Sequence, residues 1–213
     1  RLRRTKHFYE KFRSIYEALY NTVKMFEFKK NHNNTLILTS ASNMLEAYTK
    51  DYYQMDLFYR KFYVAYDENS SSEILKKLKV MVEDLYTNWF MVELSHNWTS
   101  ALANDVRNHW EIAGVRNQRD FYKKIVKPKV SSGDKVYVII SDALRYEVAT
   151  ELCERLNTES LGSAELTPML SGLPSVTKLG MANLLPHEKI EMDDNGNIII
   201  DGINSSSIEG RNR

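Results

Sequence analysis

The sequence predicts an α/β protein in which an N-terminal helical bundle, residues 1–128, is followed by the start of a parallel-sheet domain, residues 129–213. Two observations predict this order. Before Pro128, apolar residues recur every three or four positions, as on one face of a helix. After it, a short β-branched run from Val136 to Ile140 leads directly into a second helical pattern, which is the opening of a βαβ unit.

Four helices are predicted in the first half. The first carries an apolar stripe formed by Phe8, Phe12, Ile15, Leu19, Val23 and Phe26. The second begins with Ser42 or Asn43 as the expected N-cap, and its stripe continues through Met55, Tyr59, Phe62 and Tyr66. The third helix follows the loop at residues 67–72 and contains Leu85. The fourth helix comes next and contains Leu102. We interpret these aromatic stripes as core, because burying large rings holds helical bundles together.

Composition excludes several classes of protein. The 29 basic and 28 acidic residues give a net charge of +1, so no long-range field marks the chain as a binder of nucleic acid or membranes. The single cysteine, Cys153, excludes an intrachain disulfide and a thiolate metal cluster, and is expected to pack. The lack of a possible disulfide fits a reducing cytoplasm, which is the expected location. No run approaches the roughly 18 apolar residues of a membrane span. Because the first residue is not Met, we expect a piece of a longer protein.

Two basic clusters leave an alternative open. They could contact phosphate groups, although we expect a solvated face. Their members are Arg1, Arg3, Arg4 and Lys6 near the start, and Lys123, Lys124, Lys127 and Lys129 near Pro128.

Asp142 follows the predicted strand directly. In open α/β sheets the polar residues just past the carboxyl end of a strand line the ligand crevice, and Asp142 occupies that position. Alternatively, its carboxylate caps the following helix by accepting free N–H groups of the first turn. Position alone leaves both interpretations open.

A second informative stretch runs from Ser171 to His187. Gly172 and Pro174 indicate a turn, and a helix is predicted to begin between Ser175 and Thr177. A hydroxyl is thereby placed at a helix N-terminus, where free N–H groups and the helix dipole favour an anion. Either hydroxyl could instead be an ordinary cap.

Taken together, "VIISDALRYE" and "LPSVTKLGMANLLP" resemble the PglZ domain, a branch of the alkaline phosphatase superfamily found in BREX-type bacteriophage-defence systems. The helical half is similar to the region ahead of that domain, in the stretches "YQMDLFYRKFYVAY" and "NQRDFYKKIVKP". The resemblance therefore covers most of the chain and implies an alkaline-phosphatase-like second domain.

The resemblance also implies roles for individual residues. Asp142 corresponds to the superfamily's metal-binding aspartate, and Thr177 to its nucleophile, which also contacts the metal; Ser175 is the second choice for the nucleophile. Coordination to a divalent metal lowers the pKa of a hydroxyl and so activates it. Zinc is the first expectation, with manganese or magnesium as alternatives.

Arg145 is expected to orient Asp142, to bind a phosphate oxygen of the substrate, or to pack. Glu147 and Lys178 are expected to be structural partners.

The function implied is that of a metal-dependent phosphoester hydrolase, a phosphatase or a nuclease, acting in defence against phage. Other defence-system proteins are the expected partners, a phosphoester such as nucleic acid is the expected substrate, and no membrane is involved. The alternative is a non-catalytic assembly module of the defence complex.

The sequence departs from the superfamily in its later metal ligands. His7, His32, His96 and His109 precede the motifs, and His187 stands alone after them. Asn195-Gly196 predicts a hairpin turn, with Asp193, Asp194 and Asp201 as turn or cap residues. We therefore expect an incomplete domain that is inactive alone, with a bare sheet edge through which the chain could dimerise.

Overall fold

The computed structural model describes residues 9–32, 36, 38, 40–105 and 109–211. The chain divides into two compact units that alternate along the sequence. The helical unit is drawn from residues 1–107 and 145–164, and the α/β unit from residues 108–144 and 165–213. The domain boundary expected at residue 128 stays a prediction.

The helical unit is built from long helices joined into continuous rods. Its helices are α1 Tyr9–His32, α2 Ala41–Ala47, α3 Tyr53–Asp67, α4 Glu73–Glu83, α5 Val92–Asp105 and α7 Tyr146–Glu159, while α6, Lys127–Ser131, belongs to the other unit. π-Helical turns at Tyr48–Tyr52 and Asp84–Met91 join α2 to α3 and α4 to α5. α1 packs against α3 and α4, and α7 packs against α3. The first two predicted helices are confirmed, whereas the third and fourth are joined by the π-helical turn into one continuous rod, residues 73–105.

The core of this unit is apolar and partly aromatic. Met55 and Phe62 of the predicted α3 stripe are fully buried, as are Leu75 and Phe90 of the following rod. Tyr59 and Tyr66 pack against the same cluster. The interpretation of the α3 stripe as core is confirmed.

The buried face of α1 differs from the prediction. Its buried side chains are Ala18, Asn21, Thr22, Met25 and Phe28, whereas Val23 and Phe26 of the predicted stripe are exposed. Asn21 donates to the Glu17 carbonyl at 2.7 Å, and Thr22 donates to the Ala18 carbonyl at 2.8 Å. Because the helix itself satisfies these polar groups, they can face the core, and apolar periodicity does not detect them. Phe8 lies outside the described residues.

The N-cap of α2 was predicted two or three residues too late. Ser40 is the cap, and its hydroxyl accepts a hydrogen bond from the Asn43 backbone N–H at 3.1 Å. Ser42 and Asn43 are the second and third residues of the helix. Ser40, Ser42 and Asn43 all lie close together and could each cap a helix, and the backbone conformation decides among them.

The α/β unit contains short elements. In chain order they are β1 Arg116–Asn117, a 3-10 turn Gln118–Asp120, a π-helical turn Tyr122–Val126, α6, β2 Met169–Leu170, α8 Thr177–Leu184, β3 Ile190–Met192, β4 Ile198–Ile200, β5 Ile203–Asn204 and α9 Ile208–Arg211. β1 and β2 are parallel, with Arg116 opposite Met169 and Asn117 opposite Leu170. β3, β4 and β5 form an antiparallel sheet in that order. The helix predicted to begin near Thr177 is confirmed as α8.

The predicted hairpin is confirmed. β3 and β4 pair in antiparallel register, and Gly196 adopts a φ of 73° in the turn between them. Asp193 accepts the backbone N–H groups of Asn195 and Asn197 at 2.9 and 2.7 Å. Asp201 accepts the backbone N–H groups of Glu188 and Lys189. Both carboxylates are therefore turn residues, as expected.

The strand predicted from Val136 to Ile140 is not observed. This segment has no regular secondary structure, and Tyr137 and Ile139 are 86% and 91% exposed. Within the described ranges, the parallel ladder pairs residues 116–117 with 169–170 instead. A β-branched run supplies the propensity for a strand, but a strand also needs a neighbour to hydrogen-bond with, which local sequence does not specify. Dimerisation through such an edge stays a prediction.

The fold class predicted from sequence is confirmed, because a helical region and a small parallel sheet are both present. Among the described residues, no helix is long and apolar enough to cross a membrane.

Candidate functional site

A pocket of about 200 Å³ lies where the two parallel strands end. Gln118 directly follows β1, and Ser171 directly follows β2. Because parallel strands end at the same edge of a sheet, both residues reach the same place, where ligands bind in open α/β sheets. The complete lining is Gln118, Asp142, Ser171, Gly172, Ser175, Val176, Thr177 and Gly180, all from the α/β unit.

Asp142 is exposed and lines this pocket. Its Oδ1 accepts the backbone N–H of Ala143 at 3.0 Å, and Ala143 adopts the left-handed region with a φ of 57°. Such a φ is uncommon for a residue with a Cβ and turns the chain immediately after Asp142. The helix that follows has Arg145, not Asp142, at its N-cap. The alternative in which Asp142 is a helix cap is therefore wrong.

Thr177 and Ser175 line the pocket together at the start of α8. Thr177 is the first residue of the helix, and Val176 occupies the N-cap without any side chain capping the helix. Neither hydroxyl is therefore the cap. The first-turn N–H groups and the helix dipole place positive potential beside the Thr177 hydroxyl, which favours an anion there.

Sequence reasoning did not assign five residues of the pocket wall to the site: Gln118, Ser171, Gly172, Val176 and Gly180. A Cβ at Gly172 would lie 2.6 Å from Nδ2 of the buried Asn183, so a side chain at this position would have to displace Asn183. Gln118 follows a strand of two residues, which is too short to show a periodic pattern. The signal that could have found Gly172 is the Gly-x-Pro turn, which was used only as a loop marker.

Arg145 lies in the helical unit and pairs with two carboxylates there. Its Nη2 is 3.1 Å from Asp56 Oδ1, and its Nε is 2.9 Å from Glu147 Oε1, a charge contact without hydrogen-bond geometry. Asp56 also accepts hydrogen bonds from the Tyr48 and Tyr86 hydroxyls, each at 2.5 Å. The guanidinium is thus engaged by buried anions of the helical unit.

This group of residues, Tyr48, Asp56, Tyr86, Arg145 and Glu147, is called the buried charge cluster below. Asp56 is 4% exposed and Glu147 is fully buried. Burial, followed by the hydrogen bond to Asp56, raises the pKa of Tyr86 to about 12 and raises the pKa of Tyr48 further. Burial alone would lower the pKa of Arg145, but the hydrogen bond to Tyr86 and both carboxylates raise it. Glu147 is a structural partner, as expected.

None of the histidines that the structure describes lines this pocket. His32 is bound between the Phe28 carbonyl at 2.8 Å and Asp51 at 2.6 Å. His187 lines a separate pocket of about 480 Å³ in the α/β unit. His7 lies outside the described residues.

Two lysines of the basic cluster near Pro128 form surface ion pairs. Lys123 pairs with Glu188 at 2.9 Å and Lys124 with Asp120 at 2.7 Å. The cluster of Arg1, Arg3, Arg4 and Lys6 lies outside the described residues.

The pocket offers the type of ligand atom that divalent cations bind, but it offers too few of these atoms to hold a cation. The Asp142 carboxylate and the neighbouring hydroxyls are hard oxygen donors, which divalent cations accept. In the part of the chain that the structure describes, no group of three or more His, Cys, Asp or Glu side chains could hold a metal ion. A metal held at Asp142 therefore needs further ligands beyond these residues.

The chain is similar to alkaline phosphatase-like proteins of two bacteria. The chain is 39% identical over 209 residues to the alkaline phosphatase-like protein PglZ of Bacillus cereus, covering 98% of this chain and 24% of that protein. It is 39% identical over 205 residues to the alkaline phosphatase-like protein BrxZ of Escherichia coli, covering 93% of this chain and 24% of that protein. The chain thus spans about a quarter of the length of these curated relatives. No solved structure matches it. Residues 121–213 match the family described as the BREX system PglZ alkaline phosphatase-like domain.

Proposed function

We propose that this chain supplies the nucleophile and one metal ligand of a metal-dependent phosphoester hydrolase that acts in BREX-type defence against phage. The observation that carries the proposal is the meeting of Asp142 and Thr177 in one pocket at the carboxyl edge of the parallel strands. Neither residue serves as a helix cap. Their exposure leaves both side chains accessible to a ligand.

The proposed reaction is a phosphoryl transfer to the Thr177 hydroxyl. Thr177 Oγ1 attacks phosphorus in line with the leaving oxygen, so one P–O bond forms while the bond to the leaving group breaks. The hydroxyl proton passes to solvent, and the leaving oxygen takes up a proton. The first-turn N–H groups of α8 stabilise the phosphoryl oxygens. Water then hydrolyses the phosphothreonine, which releases phosphate and restores the hydroxyl.

A divalent cation held at Asp142 would lower the pKa of the attacking hydroxyl and neutralise charge on the phosphoryl group. Zinc is the first candidate for this cation, and manganese and magnesium are the alternatives. Ser175 is the second choice for the nucleophile, because its hydroxyl lines the same pocket.

Arg145 receives a positioning role in this proposal. Its guanidinium pairs with Asp56 and Glu147, so it fixes the chain three residues after Asp142 and does not bind a phosphate oxygen. The proposed substrates are phosphate mono- or diesters, nucleic acid included, and the proposed partners are other proteins of the defence system.

The test uses a protein extended to the length of the relatives, with bis(p-nitrophenyl) phosphate and p-nitrophenyl phosphate as substrates. Zinc, manganese and magnesium are supplied in turn. We expect Thr177→Ala to lower kcat by about 10³-fold or more, because loss of a nucleophile removes the covalent route. Ser175→Ala is the matched control, since it removes a hydroxyl from the same pocket, and it should retain activity within about tenfold.

Three outcomes would change the conclusion. Full activity in Thr177→Ala together with its loss in Ser175→Ala would move the nucleophile to Ser175. A folded, metal-loaded extended protein without turnover would favour the non-catalytic assembly module. Turnover by the isolated 213-residue chain that Thr177→Ala abolishes would contradict our expectation that this chain is inactive alone.

A further inference from the structure

Gln118 occupies a position in the pocket that the proposed mechanism does not use. It is the first residue after β1 and begins the 3-10 turn that packs against α8. Its side-chain amide lies beside Gly180 of α8, within 4 Å of the place where a Cβ would stand. It therefore forms the wall of the pocket that Asp142 and Thr177 line.

The amide oxygen of Gln118 has no hydrogen-bond partner. Its Oε1 is buried, and no described residue donates to it. Leaving a buried acceptor unsatisfied is unfavourable, and native structures retain few such atoms. A buried acceptor in the wall of a ligand pocket is satisfied when the ligand brings a donor or a cation.

The chemistry of the pocket favours a cation. Its polar side chains are the Asp142 carboxylate, the hydroxyls of Ser171, Ser175 and Thr177, and the Gln118 amide. A neutral amide oxygen is a hard ligand that binds magnesium and manganese without adding charge. The Gln118 oxygen would also add a ligand to this pocket, where the described residues supply a single carboxylate.

We propose that Gln118 supplies an amide oxygen ligand to the divalent cation of this pocket, next to Asp142. This inference rests on the proposed function, since it assumes that the pocket binds a cation. A carboxylate, a hydroxyl and an amide oxygen form a hard donor set, so the site should favour manganese over zinc more than a histidine-rich site does.

The test measures cation binding by calorimetry in the protein extended to the length of the relatives, with MnCl₂ and ZnCl₂. Gln118→Met keeps the length of the side chain and removes the oxygen. We expect it to weaken manganese binding at least tenfold, and zinc binding less. Gln118→Glu replaces the amide oxygen by a carboxylate and should bind manganese as tightly as the parent protein or more tightly.

The matched control is Gln54→Met, because Gln54 is the only other glutamine of the chain and its amide donates to Asp51 in the helical unit. It should leave manganese affinity unchanged. Circular dichroism melting establishes that each variant is folded; if Gln118→Met does not fold, Gln118→Glu decides, and weaker manganese binding in it overturns the proposal.

The outcomes separate this inference from the function on which it rests. Unchanged manganese affinity in Gln118→Met, with a loss in Asp142→Ala, would overturn the role of Gln118 and leave the metal site intact. No manganese or zinc binding by the parent protein would overturn both. Weakening in both Gln118→Met and Asp142→Ala supports the proposal.

Discussion

The helical unit and the α/β unit use their carboxylates in opposite ways. Asp56 of the helical unit is buried and receives two tyrosine hydroxyls and a guanidinium. Asp142 of the α/β unit is exposed and accepts a hydrogen bond from the next backbone N–H, that of Ala143. A buried carboxylate that is surrounded by donors is committed to structure, whereas an exposed one beside hydroxyls is accessible to a ligand.

The difference shows why a charged side chain is a weak functional signal by itself. Arg145 and Asp142 are three residues apart in one motif, yet they belong to different units and have different surroundings. The arginine is taken up by the buried charge cluster, while the aspartate lines a pocket. The surroundings of a charged residue in the folded chain, more than its type, therefore distinguish the structural Arg145 from Asp142, the candidate metal ligand.

The largest expected effect tests this contrast directly. Asp56→Ala should lower the free energy of unfolding by about 3–5 kcal/mol, because it leaves a guanidinium and two hydroxyls without their buried anion. Asp142→Ala removes an exposed carboxylate and should change it by no more than about 0.5 kcal/mol. Urea denaturation followed by tryptophan fluorescence measures both, since Trp89 and Trp98 lie in the helical unit. An equal decrease in the free energy of unfolding of the two variants would contradict the difference between Asp56 and Asp142.

A medium effect is expected at alkaline pH from Tyr86. The pKa of Tyr86 is raised from 10 to about 12, so below pH 10 its contribution to the stability of the folded protein is fully present. Between pH 10 and 12 the unfolded chain ionises while the folded one does not, and stability is lost as pH rises, by up to roughly 2–3 kcal/mol.

Denaturation at several pH values from 8 to 12 checks this expectation. Tyr86→Phe should flatten the decline, and Tyr137→Phe, which removes an exposed hydroxyl, serves as the control and should leave it unchanged. A decline as steep in Tyr86→Phe as in the parent chain would show that the buried charge cluster does not hold Tyr86 neutral.

The smallest effect is expected at acid pH in the β3–β4 hairpin. The backbone N–H groups of Glu188 and Lys189 lower the pKa of Asp201 below 3.8. Its contribution is present above pH 3.8 and is lost as pH falls through the folded-state pKa. In an NMR titration the amide signals of Glu188 and Lys189 should move with a midpoint below 3.8. Asp201→Asn should abolish that movement, and a midpoint at or above 3.8 would contradict the prediction.

The sequence was sufficient to predict elements with a repeated local pattern. The α3 stripe, the start of α8 and the Asn195-Gly196 turn all depend on residues close in the chain, and all three are confirmed. The face of α1 was wrong because Asn21 and Thr22 satisfy their polar groups within the helix. The strand at Val136–Ile140 was wrong because pairing depends on a distant neighbour.

The candidate site was only partly predictable for the same reason. Asp142 and Thr177 stand in motifs that a reader of the sequence can locate, and both line the pocket. Gln118 carries no local signal, since it reaches the pocket only because β1 and β2 are parallel. The partners of Arg145 could not be predicted either, because Asp56 and Tyr86 lie on separate helical rods far earlier in the chain.

The interleaving of the two units has a consequence for the order of events on the ribosome. Arg145 follows Tyr86 by 59 residues, and the intervening chain includes a whole segment of the α/β unit. At about 5–20 residues per second, the nascent helices that carry Asp56 and Tyr86 wait roughly 3–12 s for their cation. During that interval the Asp56 carboxylate lacks Arg145, so we expect the helical rods to close around it only after Arg145 has been translated.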